Sequence, residues 1–121
     1  MGDGTSASPK NLVNLKDIAA PAGDRVGVIW SLDTSSELNA NLVRVGDGRG
    51  VEEHVNDEVK VIVLGVSESG IVAVDREEHA LSAGILVFIL KGARRSTVSA
   101  SEDFAYLTVY RRRGPLSIGL R

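Results

Sequence analysis

The chain has 121 residues, 43% hydrophobic and 25% charged, with no cysteine and a formal net charge of −2. That length supplies one hydrophobic core and is too short for two, while the absence of Cys excludes disulfides, thiolate metal sites and thiol catalysis and fits a reducing, cytoplasmic setting. The N-terminal MGDGTSASPKN has no basic start followed by an apolar run, and no stretch reaches about eighteen apolar residues, so neither a signal peptide nor a membrane anchor is expected.

In chain order, residues 1–11 are small, polar and rich in Gly and Ser, and are expected to be disordered or loosely attached, leaving residues 12–121 as the single domain. Residues 12–20 suit a short strand or a helical turn, closed off by Pro21-Ala-Gly23. Residues 26–32 are β-rich and contain Trp30, the sole tryptophan and a natural core filler. After the turn-like 33–37 (DTSSE), residues 38–45 alternate apolar and polar as a half-buried strand does. Glycines 46, 48 and 50 open a loop crowded with Glu52, Glu53, His54, Asp57 and Glu58, ahead of the aliphatic run 59–66. Further strands are expected at 71–74, from 79 into 85–90, near 96–100, at 104–110 and at 116–120, with turn-like DREE at 75–78 and His79 solvated beside a hairpin. Eight to ten short strands at a spacing near ten residues, without a convincing amphipathic helix, predict an all-β sandwich or barrel. Immunoglobulin, lipocalin-like and jelly-roll arrangements all satisfy that periodicity.

The net charge hides a gradient. Residues 46–79 carry nine acidic against three basic side chains, and residues 91–121 two against seven. Compensation within the domain or across a dimer is the simpler reading. One arginine cluster at 111–113, a pI near 5.6 and 4% aromatic residues do not make a nucleic-acid platform. The sequence has no GxSxG elbow, and no helix follows the 46–50 glycines to bind a phosphate.

Two stretches have regular internal spacing. The first runs Gly46, five residues, Glu52, one residue, His54, three residues, Glu58, six residues, Gly65; the second runs Gly84, five residues, Leu90, one residue, Gly92, two residues, Arg95, three residues, Ser99. These intervals resemble the two motifs of small single-domain cupins of the cupin 2 type, with His replaced at Glu52 and with Pro, His and Asn replaced at Leu90, Arg95 and Ser99. The resemblance implies a double-stranded antiparallel β-barrel of jelly-roll type and a homodimer. It also implies that the four metal-ligand positions of the family fall on Glu52, His54, Glu58 and Arg95. Carboxylate can replace imidazole on Mn, Fe or Zn, so Glu52, His54 and Glu58 form the metal set if a metal is bound. A guanidinium offers no lone pair and opposes a nearby cation. The expectation is therefore a barrel without a cofactor, its metal site lost or weakened. Its cavity, formed by Glu52, His54, Glu58 and Arg95 with Tyr106 and Tyr110, is expected to hold a small polar ligand, with an internal Arg95–Glu ion pair in place of the metal. A metal-dependent isomerase, epimerase or dioxygenase is the alternative reading, and a structural or interaction barrel the third. Neither a nucleic acid nor a membrane is expected as a partner.

Overall fold

The computed structural model describes residues 12–20, 26–32 and 37–112. The expectations for 1–11, 21–25, 33–36 and 116–120 lie outside the described residues. Among the described residues one short helix, α1 (Leu15–Ala19), precedes nine strands: β1 (Gly27–Ser31), β2 (Leu38–Val45), β3 (Gly50–Val55), β4 (Val61–Ser67), β5 (Ser69–Val74), β6 (Glu77–Ser82), β7 (Leu86–Ile89), β8 (Arg94–Ser99) and β9 (Phe104–Arg111). Of the two readings open for residues 12–20, the helical turn is found. Asn14 caps it, its side chain accepting from the Asp17 amide at 3.2 Å.

The strands make a five-stranded sheet in the order β1-β2-β9-β4-β7 and a four-stranded sheet in the order β3-β8-β5-β6, every pairing antiparallel. The expected barrel is a jelly roll of two facing sheets; among the described residues they are not hydrogen-bonded into one closed cylinder. The chain crosses from one sheet to the other between β4 and β5 at Glu68, in the left-handed conformation with φ 60°. Asp75 and Arg76 also have positive φ and form the two-residue hairpin joining β5 to β6. The acidic turn is thus shorter than expected, and β6 begins at Glu77. Asp75 Oδ1 accepts from the Arg94 amide at 2.9 Å, tying the hairpin to β8.

Alternation sorts β4 into two faces: Val61 and Val63 point between the sheets, and Ile62 and Leu64 lie half-buried on the other side. The inter-sheet core unites Val59, Val61, Val63, Val72, Leu81, Ile89, Phe104 and Tyr106. Full burial of side chains such as Phe104, Leu81 and Val72 contributes about 1.5–3 kcal/mol each. A second cluster lies on the outer face of the five-stranded sheet, where α1 sets Ala19 against Ile29, Leu42, Val66 and Ala105. Trp30 packs half-buried against this outer cluster. The aliphatic run 59–66 is therefore apolar on both sides: Val61 and Val63 enter the inter-sheet core, and Val66 joins the outer cluster under α1.

Candidate functional site

β3 and β8 run side by side, with His54 directly opposite Arg95. Arg95 Nε donates to His54 Nε2 at 3.0 Å, and His54 Nδ1 lies 2.9 Å from the Glu52 carbonyl oxygen. Because a guanidinium can only donate, Nε2 must be the acceptor; Nδ1 then carries the proton and donates to the carbonyl. The imidazole is neutral in this arrangement and has both ring nitrogens engaged. His54 is exposed and Arg95 half-buried, so the pair opens toward solvent.

Tyr106, on β9 of the facing sheet, closes the inner end. It is 4% exposed, and its ring lies 5.2 Å from that of Phe104 at 32°. Burial pushes the Tyr106 phenol above its ordinary 10.0, while a hydrogen bond with the Thr97 side chain and the charge of Arg95 pull it down. Thr97 stands two residues beyond Arg95 on β8 and so shares its face. It was not among the residues singled out from the sequence, although the two-residue strand period, once Arg95 is placed inward, points to it.

The six expected cavity residues separate. His54, Arg95 and Tyr106 come together between the sheets. Glu52 does not join them, because its expected place beside His54 rests on unbroken strand alternation. Val51 opposes Thr97 and His54 opposes Arg95, so Glu52 and Glu53 together face the single residue Ser96 in a β-bulge. Glu52 is exposed, and Glu53 makes an exposed 3.7 Å ion pair with Arg94, worth little in solvent. Glu58 is also exposed. It sits in a turn where Asn56 Oδ1 accepts from the amides of Glu58 and Val59 at 2.9 and 3.2 Å. With Tyr110 it lines a separate groove at one end of the five-stranded sheet. His79 is half-buried opposite Val72 rather than solvated.

The metal-ligand set implied by the motif spacing does not fit these residues. The His54 lone pair accepts from Arg95, the two glutamates are exposed, and among the described residues no three His, Asp or Glu side chains gather in a way that could hold a metal ion. Among the described residues no helix is long and apolar enough to cross a membrane.

No protein-family model matches the sequence, and no curated protein matches it. Solved structures do match the fold. KdgF from Halomonas sp. is 18% identical with a TM-score of 0.66, over 72% of this chain and 80% of that one. An uncharacterised protein with a double-stranded β-helix domain from Klebsiella pneumoniae is 11% identical with a TM-score of 0.68, over 85% and 90%. The cupin domain of Schizosaccharomyces pombe Cnp3 is 12% identical with a TM-score of 0.63, over 69% and 63%. With two antiparallel sheets in jelly-roll order, both motif intervals intact and these neighbours sharing the architecture, the chain has the fold of a small cupin domain.

Proposed function

We propose that this domain is a binding cupin rather than a metal-dependent one. In this reading Arg95, with His54, Thr97 and Tyr106 around it, receives a small polar ligand bearing an anionic group. The observation that carries it is the 3.0 Å hydrogen bond from Arg95 Nε to His54 Nε2, which joins two positions that would otherwise converge on a cation. A guanidinium recognises carboxylate or phosphate oxygens through paired N–H donors. The Tyr106 and Thr97 hydroxyls add groups able to donate or accept toward a hydroxylated ligand. Approach is from the side of exposed His54, with the buried Tyr106 at the inner end.

The test is a thermal-shift titration of the purified protein with malonate and gluconate, alongside native mass spectrometry and elemental analysis. The reading expects at least one anion to raise the Tm of the wild type and the effect to disappear in Arg95→Gln. An Arg95→Gln protein that responds as the wild type does would overturn it. Stoichiometric transition metal in the purified wild type would replace it with the metal-dependent enzyme.

A further inference from the structure

The outer face of the five-stranded sheet is only partly covered. α1 packs against Ile29, Leu42, Val66 and Ala105, whereas Leu86 and Phe88 on β7 each remain 53% exposed. Beside them, where β4 begins and β9 ends, lies a groove of about 440 Å³. Ile62, Phe88 and Val109 supply its apolar surface, and Lys60, Lys91 and Arg111 also line it. Among the described residues of the lining, Glu58 is the single carboxylate against these three cations. Neither the Arg44–Asp103 nor the Arg94–Glu53 ion pair draws on any of the three. Lys60 Nζ stands 5.8 Å from the centroid of the Phe88 ring, which puts a positive charge at the border of the exposed apolar surface.

A small polar anion would leave this apolar surface wet, and an uncharged hydrocarbon would leave the cations without a counter-charge. An anionic amphiphile answers both. We propose that the groove is a second binding site, distinct from the His54–Arg95 cluster, for a free single-chain carboxylate of the fatty-acid class. The alkyl chain lies along Ile62, Phe88 and Val109, and the carboxylate lies among Lys60, Lys91 and Arg111. The volume falls within the range of small-molecule sites, about 300–1,000 Å³.

The probe is decanoate, titrated below its micelle concentration into the full-length ¹⁵N-labelled protein and followed by amide chemical shifts. The expected perturbations concentrate on β4, β7 and the end of β9, and binding weakens as salt is raised. Decanol and decyltrimethylammonium should bind at least about tenfold more weakly than decanoate. The double variant K60E/K91E, altered only at exposed positions, should retain the wild-type pattern of strand amides and lose about tenfold or more in affinity. Decanol binding as tightly as decanoate would reduce the groove to an adventitious apolar contact and overturn the proposal. So would a homodimer, dissociated by Phe88→Asp, that excludes decanoate; the occupant would then be a second copy of the chain. Binding seen only after deletion of residues 113–121, or only to anionic vesicles and not to monomeric decanoate, would overturn it equally.

Discussion

Replacing Gly70 by Ala tests how closely the two sheets approach. Gly70 is buried on β5, and its backbone is not in the left-handed region, so alanine meets no backbone objection there. The added methyl is the whole perturbation. It would lie 2.3, 2.5 and 2.8 Å from Cε2, Cδ2 and Cζ of Phe104. Non-bonded carbons rest at about 3.5–4.0 Å, so the ring must retreat by more than about 1 Å. Phe104 is 0% exposed and already packs on Tyr106, so the ring cannot swing out into solvent and must push on its neighbours. Overpacking of this kind costs about 1–3 kcal/mol, and the severity of the overlap puts Gly70→Ala at the upper end. In a domain of this size that lowers Tm by on the order of 10 °C. Urea unfolding should show a lower midpoint at unchanged slope. Phe104→Leu shortens the obstructing group, so the double variant should lose at least about 1 kcal/mol less than the sum of the singles. Gly46→Ala is the control: its new Cβ meets nothing within 4 Å, and the change should stay within about 0.5 kcal/mol. Gly70→Ala as mild as Gly46→Ala, or strict additivity with Phe104→Leu, would refute this packing.

Two further outcomes follow from the polar cluster. Arg95→His removes the donor on His54 Nε2 and sets a second imidazole directly opposite it, at the Cβ separation of about 4.5–5.5 Å typical of paired strand residues. Zinc at a hundredfold excess over its Kd should then stabilise the variant by about 2.7 kcal/mol and leave the wild type unchanged; calorimetry of both proteins checks this, and tight wild-type binding with no gain in the variant contradicts it. Because burial raises the Tyr106 phenol, the folded protein keeps a proton above pH 10.0 that the unfolded chain gives up. This contribution to stability is complete below pH 10.0 and is lost as pH rises through the folded-state value. Tyr106→Phe should shed that alkaline loss, and parallel stability curves for the two proteins above pH 10 would exclude it.

Much of the fold was legible in local pattern. The alternation at 38–45 coincides with β2 (Leu38–Val45), and the β-rich stretch at 104–110 with β9 (Phe104–Arg111). β2 alternates buried and half-buried along its length, which is what a two-residue period reports, whereas β9 is a run of aromatic and β-branched residues covered on both faces. β3 was harder to read. Its six residues are all exposed, so no apolar stripe marks it, and the GDGRG glycines suggest a loop where Gly50 already pairs with Val98. Close approach explains that glycine, since a Cβ at Gly50 would lie 1.8 Å from the Thr97 carbonyl oxygen.

The candidate site divides along the same line. From the sequence, the resemblance to two cupin motifs put His54 and Arg95 at positions where the family holds a metal, and the chemistry of a guanidinium ruled out coordination by Arg95. The first follows from the resemblance and the second from the chemistry of a single residue. Only the tertiary structure decided that Glu52 leaves the cluster through a bulge, that Glu58 belongs to another groove, and that Thr97 and Tyr106 complete the interior. A bulge is a mismatch between two strands and has no signature in either one. The hydrogen bond that defines the site joins residues 41 apart in the chain. Its existence depends on sheet register, which the packing of the whole domain sets.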